Sequence, residues 1–227
     1  MSNAILIIGQ SGSGKSTAVR TLPPKETFIV NVVDKPLPFR GSRKAYTRLS
    51  KDNPTGNYYS TDSHQKLMQI IQGVNDQRPE IKYLVIDDFG YSISNDFMRK
   101  AQVKGYEKYT ELGKNAFEIF DKLITLRDDL FVFVMMHTEV DKLAGISKPK
   151  TVGQMIDQYV CIEGRFTYVL HSFVVDGQYG FITNQDNFHM AKSPMGLFDL
   201  KIDNDLLFVA TQINNYLNED ITNGESL

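Results

Sequence analysis

The sequence predicts an α/β fold in which a parallel sheet carries helices on both faces and ends in an antiparallel hairpin. Three observations lead there. Continuous apolar runs alternate with helical periodicities over the first 136 residues, the last third changes to strand-like stretches, and a strong turn dipeptide separates two of those stretches.

Ala4-Ile5-Leu6-Ile7-Ile8 is apolar throughout, as expected of a strand covered on both faces, and residues 28–33, 83–86 and 130–136 repeat that character. Leu67, Ile70, Ile71 and Val74 share one helical face after Thr61-Asp62-Ser63, which offers several N-cap candidates. Tyr109, Leu112, Ala116, Phe120, Leu123 and Ile124 mark a longer amphipathic helix. Residues 166–175 and 179–183 read as strands on either side of Asp176-Gly177, an antiparallel hairpin added to one edge of the sheet. A final helix is expected over about 204–217, with residues 218–227 a flexible acidic tail. No internal repeat and no linker rich in Gly, Pro or Ser interrupts the chain, so residues 1–227 are expected to form one domain.

Composition narrows the function classes. The chain of 227 residues is 41% hydrophobic and 23% charged, which excludes disorder, collagen and coiled coil as its main content. The single cysteine, Cys161, cannot close an internal disulfide or build a zinc site alone, which suits a reducing cytoplasm. No apolar run approaches the ~20 residues of a membrane span, and the N-terminus lacks the basic flank of a signal peptide. A net charge of −2 excludes a protein that is basic all over but leaves room for a local basic patch.

Gly9-Gln10-Ser11-Gly12-Ser13-Gly14-Lys15-Ser16 fits G-x-x-x-x-G-K-[ST], the phosphate-binding P-loop, and lies between a buried strand and a helix-compatible segment from Thr17 to Leu22. Its glycines let backbone N–H groups curl around anionic oxygens at a helix N-terminus. Lys15 supplies a point charge to the β- and γ-phosphates, and the Ser16 hydroxyl is a ligand for Mg²⁺. Residues 9–17, ending in Thr17, are thus the expected ATP site, with ATP and Mg²⁺ as cofactors. A second metal-holding acid is expected at another strand tip. Asp87 ends the run Tyr83-Leu84-Val85-Ile86, and Asp88 beside it is a candidate to orient or deprotonate the attacking water. Asp34, at the end of the second strand, is a rival for that role, and a merely solvated acid is the plainer reading of Asp88. His137 ends the run 131–136, where the additional-strand division of P-loop ATPases carries a polar γ-phosphate sensor on a strand between the P-loop and Asp strands.

Asn31-Val32-Val33-Asp34-Lys35-Pro36-Leu37-Pro38, Ile86-Asp87-Asp88-Phe89-Gly90-Tyr91 with Asn95-Asp96-Phe97-Met98-Arg99, His137-Thr138-Glu139, and Thr183-Asn184 followed by Ala191-Lys192-Ser193-Pro194 together resemble a family of bacteriophage ATP-binding proteins with a RecA-type core. The segments span about residues 4–200. The resemblance implies a P-loop NTPase with a RecA-like sheet, acting on single-stranded DNA in phage annealing, recombination or replication. It also implies a homo-oligomer, ring or filament, with ATP at the subunit interface, a single-strand-binding protein as a further partner, and a place in the host cytoplasm. By analogy Lys192 would reach the γ-phosphate of a neighbouring subunit; a solvated loop lysine is the plainer reading.

Arg40, Arg43, Lys44, Arg48 and Lys51 form an acid-free basic stretch interleaved with Tyr46 and followed by Tyr58 and Tyr59, a composition suited to backbone charge and base stacking. Lys142, Lys148 and Lys150 crowd the loop after His137, which corresponds by analogy to a DNA-facing loop. Two other functions compete: a small-molecule (nucleotide) kinase that shares the P-loop, and an ATP-gated adaptor with little turnover. The sequence carries no Arg-rich lid of the kinase kind.

Overall fold

The computed structural model describes residues 3–105, 107–141, 145–152 and 161–223. Strand β1 (Asn3–Gly9) is buried along its whole length, and its side chains alternate between two cores. Leu6 and Ile8 face one layer of helices, while Ile5 and Ile7 face the other. This is the two-sided burial that a continuous apolar run encodes, each fully buried aliphatic side chain contributing about 1.5–3 kcal/mol.

β2 (Thr27–Asn31), β3 (Tyr58–Ser60), β4 (Tyr83–Asp87) and β5 (Phe131–Val140) run parallel to β1, and β7 (Tyr168–Val175) also pairs with β1 in parallel. β8 (Gln178–Ile182) and β9 (Lys201–Asp203) continue the sheet antiparallel, while β6 (Ser147–Pro149) pairs with the outer end of β5. The order across the sheet is β3-β2-β4-β5-β1-β7-β8-β9. β5 therefore lies between the strand before the P-loop and the strand that ends at Asp87.

One face is covered by α2 (His64–Gln77), α3 (Gly90–Arg99) and α4 (Glu107–Leu123), which follow the short α1 (Ser42–Ala45) in the chain. Leu67, Ile71 and Val74 of α2 and Leu112, Ala116, Ile119, Phe120 and Leu123 of α4 meet the sheet at helical spacing. The other face is covered by α5 (Leu206–Asn223), which sets Leu206, Val209, Ala210 and Ile213 against Ile5 and Ile7. No described helix is long and apolar enough to cross a membrane.

Several boundaries depart from expectation. After the P-loop the chain forms a 3₁₀ helix, Ser16–Thr21, because Leu22 precedes Pro23 and Pro24 and the backbone must leave the helical region there. β5 runs past 136 to Val140 because β6 folds back on it through the pair Thr138–Pro149. β3, at Tyr58–Ser60, and α3 were not anticipated: β3 is only three residues long, and only Ile93 and Phe97 of α3 reach the core, too few to show as a periodicity. The hairpin turn behaves as its composition demands, with Asp176 at φ 50° and Gly177 at φ 77°. The expected tail is corrected for 218–223. No Gly or Pro occurs between 206 and 223, and the helix continues through them to Asn223.

Candidate functional site

The P-loop leaves β1 at Gly9, which is in register with His137 on β5. On the other side β7 crowds it: a Cβ on Gly9 would lie 2.1 Å from Ser172 Oγ, so only glycine fits. The Ser172 hydroxyl donates to Ile8 O (3.1 Å) and lies 2.6 Å from Ser13 Oγ, which ties the loop to β7. Gly14 has φ 96°, a conformation open to glycine, and the ring of Tyr179 covers it closely enough that a Cβ would approach Cδ1 to 2.6 Å. Asn204 donates to Gly14 O (3.2 Å) and accepts from Arg20 Nη1 (2.7 Å).

Lys15 is 5% exposed and donates from Nζ to Gly9 O and Gln10 O, both at 2.8 Å. Burial pulls its pKa down to about 8, against the opposing charges of Asp88 and Asp87. The Ser16 hydroxyl donates to Asp87 Oδ1 at 2.8 Å. Asp87 is fully buried and its Oδ2 has no hydrogen-bond partner; burial, and then the charge of Asp88, push its pKa up to about 6.

Asp88, at φ 60°, turns its carboxylate to two nitrogen groups: the Lys35 ammonium forms an ion pair with Oδ2, and His137 Nε2 lies 3.2 Å from Oδ1. Burial alone would raise the Asp88 pKa, but the His137 and Lys35 hydrogen bonds outweigh it and hold the carboxyl below its ordinary value. Burial likewise works against the Lys35 ammonium, and Asp88 overrides it to raise that pKa. The His137 ring is set edge-on to Tyr91, with centroids 5.7 Å apart.

A cleft of about 400 Å³ lies here, with Ser11, Gly12 and Gly14 to Thr17 on one wall, Lys35, Asp88 and His137 on another, and Tyr179 on a third. Gly9, Gln10 and Ser13 shape the loop from behind, through the Lys15 bonds and the Ser13–Gln10 hydrogen bond (2.7 Å). The donor set fits Mg²⁺. Ser16 and Asp87 offer hard oxygens, the bare Asp87 Oδ2 is an acceptor with nothing to accept from, and no group of three or more His, Cys, Asp or Glu among the described residues forms a metal cage.

Other expected residues lie elsewhere. Asp34 is exposed and held by Arg48 (2.5 Å) and the Tyr58 hydroxyl (3.2 Å), outside the cleft, so the rival for water activation is not beside the P-loop. Lys192 is exposed and away from the cleft, its backbone paired with Val169 (2.8 and 2.9 Å). Arg40, Arg43, Lys44 and Lys150 are exposed. Lys148 lies 3.8 Å from both Glu139 and Asp141, which neutralise it, and Lys142 falls outside the described residues. Tyr46 is corrected as a stacking group: it is buried against Phe39 and Leu37 in the core, so its ring faces cannot receive a base.

Lys35 and Tyr179 were missed as site residues. Lys35 stood in a segment that carried the family resemblance but had no role assigned, and Tyr179 stood in no motif; Lys35 reaches the cleft because Asp88 turns back on the β2 loop, and Tyr179 because the hairpin swings over Gly14. No family model matches the sequence, and no curated protein matches it.

Proposed function

We propose that this chain is a Mg²⁺-dependent ATPase with a RecA-like core of the additional-strand type, which binds single-stranded DNA and assembles so that ATP lies between subunits. The observation that carries the reading is the 2.8 Å hydrogen bond from Ser16 to Asp87, which joins the P-loop to a strand-tip acid 71 residues away. The position of β5 between β1 and β4, with His137 at its tip beside Gly9, supports the same reading.

Lys15 exchanges its two loop carbonyls for phosphate oxygens when ATP enters, a step favoured because an anion is a better partner than two neutral acceptors for a buried ammonium. Ser16 and Asp87 would hold Mg²⁺, which would supply positive charge to offset the negative charge that develops on the phosphates. Asp88, kept ionised by Lys35 and His137, is a weak proton acceptor and acts by orienting the attacking water. His137 has Nε2 on Asp88, and a γ-phosphate beside it offers the same nitrogen an alternative anion, which makes His137 a sensor. The exposed Arg40, Arg43, Lys44 and Lys150 supply the charge for a DNA backbone, and Lys192 is exposed enough to enter a neighbour's cleft.

One observation favours a second reading. Both Asp88 oxygens already have partners, Lys35 on Oδ2 and His137 on Oδ1, so water activation requires displacing one of them, and slow turnover by an ATP-gated adaptor is consistent with that. Phosphate release measured with and without single-stranded DNA, and with Lys15→Ala as control, separates the possibilities. DNA-stimulated release supports the ATPase, tight binding with negligible release the adaptor, and phosphoryl transfer to an added nucleotide a kinase. Release unchanged by Lys15→Ala would overturn the assignment.

A further inference from the structure

A second cavity of about 430 Å³ adjoins the cleft and shares Lys35 and Pro36 with it. It opens beyond the carboxyl end of β2, where open α/β sheets bind ligands. Leu37 and the buried Tyr46 give it an apolar floor, and its rim carries Arg43 and Arg48 together with the Asp34 carboxylate that Arg48 engages.

The two arginines differ. Arg43 is exposed and makes no ion pair with a described residue. Arg48 is pre-oriented: Nη2 lies 2.5 and 2.6 Å from the two Asp34 oxygens, and the guanidinium sits over the Tyr58 ring at 5.6 Å. Asp34 is itself fixed by the Tyr58 hydroxyl at 3.2 Å. Only Nη2 is engaged, so Nε and Nη1 of Arg48 make no hydrogen bond with the described residues. An aligned guanidinium with donors to spare, a second unpaired guanidinium and an apolar floor form a receptor for a phosphate ester that carries a sugar or base.

We propose that this chamber binds the phosphate of a nucleotide unit, Arg43 and Arg48 holding the phosphate while Leu37 and the Tyr58 ring receive the apolar part. The source of the phosphate is one unit of a single-stranded polynucleotide or a free nucleoside monophosphate. The proposal deepens the function above and rests on it only in that the adjoining cleft is taken as the ATP site. The chamber's own chemistry requires no ATP.

The test uses the full chain with a short labelled oligothymidylate, read by anisotropy, and thymidine 5′-monophosphate, read by calorimetry. Binding of a fluorescent ATP analogue is measured separately. Arg43→Glu and Arg48→Ala alter exposed side chains outside the P-loop cleft and should leave binding of the ATP analogue unchanged. If the polynucleotide is the source, each variant weakens oligothymidylate binding by about tenfold, and the two together reduce the salt slope by about one, as expected for the loss of one phosphate contact. If the mononucleotide is the source, the same losses appear with thymidine 5′-monophosphate, which then competes with nothing in the cleft. Unchanged affinity of both probes in both variants, or no measurable binding of either probe to the native chain, overturns the chamber assignment. Loss of ATP binding by the native protein would instead overturn the function proposed above, leaving the chamber result to stand or fall alone.

Discussion

Replacing Asp87 by Asn should make the nucleotide-free protein more stable at pH 8 while weakening its Mg²⁺-dependent nucleotide binding. Asp87 is fully buried, its pKa is raised to about 6 from 3.8, and one of its oxygens has no partner. The native state therefore prefers the protonated acid. That preference is fully present below about pH 4, and stability is lost as the pH rises through about 6. A rise of about two units at ~1.4 kcal/mol per unit is about 3 kcal/mol at pH 8, and about half of that is already lost at pH 5. Attraction to Lys35 and Lys15 and the Ser16 hydrogen bond are already contained in the raised value. Asn keeps an oxygen for Ser16 and carries no charge, so Asp87→Asn should gain up to about 3 kcal/mol at pH 8, or roughly 6–12 °C in Tm for a chain of this size. Urea and thermal unfolding at pH 5 and pH 8, without Mg²⁺ or nucleotide, measure it. A variant no more stable than the native protein at pH 8, or one whose gain is the same at both values, would show that Asp87 carries no buried, uncompensated charge.

Burial lowers the Lys15 pKa to about 8, so if Lys15 holds phosphate as a cation, nucleotide affinity should fall up to ~tenfold per unit above pH 8; equal affinities at about pH 8 and 10 would refute this. Gly14→Ala should cost about 1–2 kcal/mol for the left-handed backbone at φ 96° and displace Tyr179, weakening nucleotide binding. Adding Tyr179→Ala should relieve the clash but not the backbone cost, and unfolding curves of the single and double variants separate the two. Lys192→Ala mixed with Lys15→Ala should recover part of the ATP turnover if subunits share sites, because some interfaces then pair an intact P-loop with an intact Lys192. No recovery at any ratio, with both variants folded and co-assembled, would leave Lys192 an ordinary loop lysine.

The strands around residues 4–8, 83–86 and 130–136 and the Asp176-Gly177 turn were legible in the sequence because each depends on neighbours along the chain. Apolar continuity encodes burial on both faces, and a two-residue turn with positive φ encodes itself. Local chemistry misled at Tyr46, which stands among cations yet packs into the core, and at the helix after the P-loop, which two prolines shorten. The sequence by itself determined the glycine-rich turn after β1 and the strand-tip acid, Asp87. Only the tertiary structure decided that Lys35 and His137, 53 residues before and 49 after Asp88, close on its carboxylate, that Arg48 orients on Asp34, and that Tyr179 covers Gly14. The reason is physical. An ion pair or ring contact between distant residues depends on strand order and register, which emerge only when the whole sheet is assembled, whereas turns and periodicities are set within a few residues.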